Sequence, residues 1–175
     1  MGEASQTAKI GTEQITNFLR NQKSTIDIIN VENDLSYQKK DIDLLWIHRS
    51  NVGEVTTSIE IKVDNYYRTG NYFFETLSNV EKNTEGCFMY SEAKYLYYYF
   101  LNVELHIFRL DDARKWFIKN KNRFTYKRTS TPILNTNSVY HTEGALVNRQ
   151  LFGNESGCKI HCFKYTNGEF KRYYS

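Results

Sequence analysis

The chain has 175 residues, 40% of them hydrophobic, and 23 Lys and Arg against 20 Asp and Glu, for a formal net charge of +3. That is enough apolar material to bury a real core, but no apolar run approaches the roughly 18 residues of a membrane span, and Met1 to Ile10 lack the apolar centre of a signal peptide. The composition therefore predicts one cytoplasmic, membrane-free domain over 1–175, with a core at about 8–120 and a C-terminal extension at about 129–175.

The first element is an amphipathic helix over about 8–21, since Ile15, Phe18 and Leu19 have helical spacing. A strand is expected at 24–31. Asp41-Ile42-Asp43-Leu44-Leu45-Trp46 and Ser58-Ile59-Glu60-Ile61-Lys62-Val63 alternate with a period of two, which predicts strands at 41–48 and 55–63 whose side chains two apart share a face. Between them, Arg49-Ser50-Asn51-Val52-Gly53-Glu54 suits a hairpin connection. A turn centred between Asn51 and Val52 puts His48 opposite Val55, Asp43 opposite Glu60, and Asp41 opposite Lys62.

Downstream, 71–79 reads as a short helix, and Tyr95 to Leu101 and Glu104 to Leu110 read as strands rich in Tyr, Phe, Val and Ile. Asp111-Asp112 begins a helix that runs to about Asn120. Strands are expected near 138–147 and 158–165. The Ser/Thr/Asn-rich stretch Thr129 to Ser138 reads as a loop or subdomain junction, or as an arm that orders on a partner.

The hairpin register carries the chemistry. Directly opposed residues of an antiparallel pair have Cβ atoms about 5 Å apart, so Asp43 and Glu60 meet, with Lys62 beside them. Two carboxylates that close repel unless a cation lies between them, and hard oxygen ligands suit Mg²⁺ or Mn²⁺. Lys62 is placed to orient a water or to stabilise charge on a phosphate under attack. A lone Glu-x-Lys on a strand is ordinarily a solvated ion pair; the upstream Asp-x-Asp with matching parity is what gives this one weight. Hydrolysis of a phosphodiester fits the group.

These residues resemble the PD-(D/E)XK nucleases of the restriction-endonuclease-like superfamily, in particular its phage-type and uncharacterised branch. Asp43 matches the family's Asp, Glu60 its D/E and Lys62 its Lys, while Ile42 stands where the family has proline. The resemblance implies an α/β fold: a restriction-endonuclease-like mixed central β-sheet flanked by helices, an αβββαβ core, here with extra C-terminal strands. It implies a Mg²⁺-dependent (or Mn²⁺-dependent) DNA endonuclease with Asp43, Glu60 and the Ile61 carbonyl as metal ligands. Many members carry a first-helix Glu that faces the metal, and Glu13 in Gly11-x-Glu13 is the candidate; the competing reading is a charge favoured in the first turn of any helix. The Gly70-Asn71-x-x-x-Glu75 stretch resembles a helix placed behind the Glu-x-Lys strand, with Glu75 near the centre or on the helix surface. The alternative function is a catalytically inactive nucleic-acid-binding module, or a subunit of a defence or mobile-element complex with the same fold.

Net charge is modest for a nucleic-acid binder, but a basic run compensates. Arg114, Lys115, Lys119, Lys121, Arg123, Lys127 and Arg128 interleave with Trp116, Phe117, Phe124 and Tyr126, a pattern able to contact phosphates and stack on bases of duplex or branched DNA. The competing reading is a solvated helix end. Lys39, Lys40, Arg49 and Arg68 flank the proposed centre and are further phosphate contacts. Cys87, Cys158 and Cys162 are too few for a disulfide framework, and strand alternation sends His161 away from Cys158 and Cys162, which argues against zinc. Two cuts on a duplex are simplest for a symmetric pair, so a homodimer is expected.

Overall fold

A computed structural model describes residues 3–133 and 138–173. In chain order the elements are α1 (Glu3–Arg20), β1 (Thr25–Asn30), α2 (Leu35–Gln38), β2 (Leu44–Ser50), β3 (Gly53–Asp64), β4 (Asn71–Asn79), β5 (Thr84–Glu85), α3 (Cys87–Tyr90), β6 (Tyr95–Phe100) and β7 (Glu104–Arg109). There follow α4 (Leu110–Asn120), β8 (Thr125–Pro132), β9 (Val139–Asn148), α5 (Arg149–Glu155), β10 (His161–Thr166) and β11 (Glu169–Tyr173), with 3₁₀ turns at Tyr67–Thr69 and Lys121–Arg123. The protein is α/β, with a large mixed sheet and flanking helices. No described helix is long and apolar enough to cross a membrane.

The chain divides into two compact units. One takes the chain up to Tyr67, Glu92–Leu110 and everything from Lys159; the other takes Arg68–Ser91 and Asp111–Cys158.

The first unit is built on a seven-stranded sheet in the order β1-β2-β3-β6-β7-β10-β11. Only β3 and β6 pair in parallel; every other neighbour is antiparallel. The β2–β3 hairpin has the predicted register, with Leu44 opposite Ile59 and His48 opposite Val55. Alternation then sorts the two faces. Leu44, Ile59, Ile61, Tyr97, Tyr99, Leu105 and Ile107 pack with Ile15 and Leu19 of α1, so Glu60, Lys62 and Tyr98 take the other face. Helix α1 reaches the sheet through buried Gly11, where a Cβ would lie 2.4 Å from Val63 Cγ2. A side chain at that point would push the helix off the strand.

The second unit has a four-stranded sheet in the order β5-β4-β9-β8. Its core is aromatic: Phe74 stacks on Phe88 at 4.0 Å, and Phe117 and Phe152 meet Phe74 edge-on at 6.0 and 5.7 Å. Residues 71–79 are here a strand, which corrects the helix expected from Asn71-x-x-x-Glu75. Tyr72 and Phe74 are both buried and point to one face, and aromatic residues two apart satisfy a pleated ladder better than a helical stripe. The crossover from β3 to β6 accordingly carries β4, β5 and the four-residue α3 in place of the second core helix of the αβββαβ pattern. Residues 125–132, read as basic run and loop, form β8 against β9; 134–137 of the expected Thr129 to Ser138 loop lie outside the described residues. Helix α5, β11, α2 and α3 have no counterpart in the sequence reading.

Candidate metal centre

Asp43 stands one residue before β2, where the ladder becomes irregular: its N–H donates to the Ile59 carbonyl at 2.9 Å, although Ile59 pairs with Leu44, and its own carbonyl accepts from the Val31 N–H at 2.8 Å. The register does not extend to Asp43, but its carboxyl and that of Glu60 still act directly on each other. Asp43 Oδ2 accepts from the Ile61 N–H at 2.7 Å, which fixes the carboxylate against the edge of β3. A strand residue's N–H and C=O leave the same edge, so the Ile61 carbonyl lies on the Asp43 side as well. Asp41 departs from expectation. Its φ of 52° takes the chain out of the ladder, so it does not face Lys62 as a strand partner; its carboxylate lies within 4.8 Å of that of Glu60 instead.

Burial governs the electrostatics. It lifts the Asp43 carboxyl to about 6, the charges of Glu32 and Asp41 push the same way, and the hydrogen bonds from Ile61 and Glu60 oppose them. Burial also raises Glu60 well above the usual carboxylate range, with Asp43 and Asp41 adding repulsion and Lys62 opposing. Glu60 is 6% exposed, and its Oε2 meets no donor among the described residues. Without a cation, burial and the neighbouring carboxylates therefore favour the protonated form of Glu60. A buried acceptor left without a donor costs about 1–3 kcal/mol, and a cation relieves that cost and the carboxylate repulsion together. The donor set consists of carboxylate and carbonyl oxygens, so it fits a hard divalent ion.

The remaining candidates fall in several places. Glu13 is exposed on α1. It lies about 200° round the helix from Gly11 at 3.6 residues per turn, and α1 begins at Glu3, so Glu13 is not in a first turn either. A further acid that acts on Asp43, alongside Asp41, is Glu32, which the sequence reading does not single out; it accepts from Thr12 Oγ1 at 3.0 Å and Asn30 Nδ2 at 2.8 Å. Glu75, on β4 of the second unit, pairs with Gly144 of β9. A buried polar group also went unread: Glu104 and His106, 6% and 5% exposed, bond at 3.1 Å, and Tyr67 donates to Glu104 at 2.9 Å. Burial alone would raise the Glu104 carboxyl, but hydrogen bonds from His106, Tyr173 and Tyr67 hold it low. The signal was the alternation of Glu104 and His106 with core residues Leu105 and Ile107.

The basic candidates are exposed but not equivalent. Lys39, Arg68, Lys119, Lys121 and Lys127 present to solvent. Lys40 lies 3.5 Å from Glu92, Arg123 makes two bonds to Glu155 at 2.7 and 3.2 Å, and Arg128 bonds Glu143 at 2.8 Å. Among the interleaved aromatics, Trp116 and Phe117 are buried and pack with Phe124 at 5.6 Å, whereas Tyr126 is exposed. Arg114 holds the Phe88 and Ser91 carbonyls at 2.9 and 2.7 Å, a structural task. No disulfide forms among the described residues, and β10 starts only at His161, so Cys158 does not share a strand with Cys162.

Comparisons with protein-family models, with curated proteins and with solved structures found no match.

Proposed function

We propose that this chain is a Mg²⁺-dependent DNA endonuclease built like a PD-(D/E)XK enzyme. The observation that carries the reading is the buried Asp43–Glu60 pair, held by the Ile61 amide with Lys62 on the Glu60 face. The order of elements supports it: a helix, an antiparallel β1-β2-β3 meander, and β6 parallel to β3. In this reading Asp43, Glu60 and the Ile61 carbonyl hold the ion, with Asp41 as a further carboxylate. When bound, Mg²⁺ or Mn²⁺ supplies the positive charge that activates a water and offsets charge developing on phosphate. The Ile61 N–H keeps Asp43 oriented, and Lys62 donates toward the attacked phosphate or its water. Lys39, Lys121 and Lys127, exposed on their elements, are the preferred phosphate contacts, and Arg123 and Arg128 are secondary because acidic partners already hold them.

The test is cleavage of supercoiled, linear and branched DNA in Mg²⁺, Mn²⁺ or EDTA by the wild type, Asp43→Ala and Lys62→Ala at matched folding. Metal-dependent cutting is expected, abolished in Asp43→Ala and lowered at least about a hundredfold in Lys62→Ala, with DNA affinity retained. Absence of cutting in every metal, with salt-sensitive binding intact, would instead make the chain a nucleic-acid-binding module.

A further inference from the structure

The opposite face of the first unit's sheet holds a cavity of about 460 Å³, within the usual range for small-molecule sites. It continues the α1-facing surface past the end of the helix, where Phe18, Leu19 and Gln22 form one wall and β2, β3, β6, β7 and β10 form the floor. Its surfaces are flat and aromatic. Trp46 stacks on His48 with centroids 4.0 Å apart and rings inclined 24°. The Trp46 indole N–H already donates to Thr25 Oγ1 at 2.8 Å, which leaves its ring as the part offered to the cavity.

Of the polar groups around this space, Tyr97, His161 and Lys94 can donate, while Gln22, His48, Ser50 and Thr57 can accept as well. Tyr97 lines it at 4% exposure, and its hydroxyl makes no hydrogen bond among the described residues; burial raises its pKa, so it keeps its proton. The hydroxyl is not among the fully buried polar atoms, so it retains some access, and its residue borders a space large enough for a ligand. His161 takes an Arg172 N–H on Nδ1 at 2.8 Å, so the neutral ring carries its own proton on Nε2. Burial, with Arg172 and Lys159, lowers its pKa and keeps the ring neutral. Lys94 adds an ammonium at the rim, 5.9 Å from the Tyr95 ring centre. No carboxylate is among the lining residues.

We infer that this cavity binds a small planar aromatic anion, its ring against Trp46 and its acceptor atoms on Tyr97, His161 and Lys94. The site is separate from the carboxylate pair and does not depend on the nuclease reading. Two sources share this chemistry, a nucleoside monophosphate and an aromatic carboxylate.

Isothermal titration of the whole chain in EDTA, so that no phosphate binds through a cation, tests it with 5′-dAMP, 2-naphthoate and neutral deoxyadenosine. One-to-one binding of at least one anion is expected. Tyr97→Phe, which keeps the ring, should weaken it about fivefold, and Lys94→Ala should weaken the anion while leaving any deoxyadenosine binding unchanged. Binding of 5′-dAMP points to the nucleotide source, and binding of 2-naphthoate alone to the carboxylate source. Failure of both anions to bind, or an affinity unchanged in a folded Tyr97→Phe, overturns the inference.

Discussion

At the scale of residues, Asp43 and Glu60 behave as one titrating pair rather than two carboxylates. The folded Asp43 carboxyl sits at about 6 against an ordinary 3.8, and Glu60 is raised further by burial and by Asp43 itself. The folded state thus binds these protons more tightly than the unfolded chain. The stability they contribute is fully present below about 3.8 and is lost as pH rises through 6 and beyond. For Asp43 the loss is on the order of 2–3 kcal/mol. Urea unfolding in EDTA at pH 5 and pH 8 checks this against the Asp43→Asn/Glu60→Gln double variant, whose stability should fall less over that interval. Adding Mn²⁺ at pH 8 should raise the wild-type midpoint and leave the double variant unmoved. Identical pH dependence in the two proteins would mean that the pair is not buried together.

Elements translate that pairing into position, and Gly11 shows how tightly. An alanine there gains up to about 1 kcal/mol of helix propensity but drives a methyl into Val63, 2.4 Å from its Cγ2, and overpacking of this kind costs about 1–3 kcal/mol. Gly11→Ala is therefore expected to lower the melting temperature, and Val63→Ala in the same chain to restore part of it; a stabilised Gly11→Ala would show that the helix does not approach β3 so closely. The sequence makes the hairpin legible because period-two alternation and Gly53, at φ 109°, fix register and turn with local information alone. Glu13 stays away from the sheet because it lies about 200° round α1 from Gly11, on the exposed side. Asn71-x-x-x-Glu75 misled because residues four apart share a face on a helix and on a strand alike; the buried Tyr72 and Phe74 decide it. Glu32 was invisible because its approach to Asp43 depends on the turn after β1, which no periodicity marks.

For the whole molecule, what matters is that neither unit is a continuous piece of chain. The chain leaves the first unit after Tyr67, returns at Glu92, leaves after Leu110 and returns at Lys159. A fragment ending at Arg128, near the boundary that composition suggested, loses β9, the strand between β4 and β8. It also loses β10 and β11, which uncovers the edge of β7 along Leu105 to Ile107, and bare edges of this kind template aggregation. That fragment should be unfolded or aggregated by circular dichroism and gel filtration. A chain ending at Asn167 loses the edge strand β11, the ring contacts of Phe170 with Phe18, Tyr99 and Tyr165, and the bonds of Tyr173 to Glu104 and Arg172 to His161, so it should remain folded with a lower melting temperature. Cooperative unfolding of the shorter fragment would refute the interleaved division, because a chain without β9 and β10 leaves both sheets incomplete. The carboxylate pair itself lies wholly on segments before Tyr67, yet the sheet that buries it is completed by β6 and β7, which begin at Tyr95 and Glu104, and by β10 and β11, which begin at His161 and Glu169.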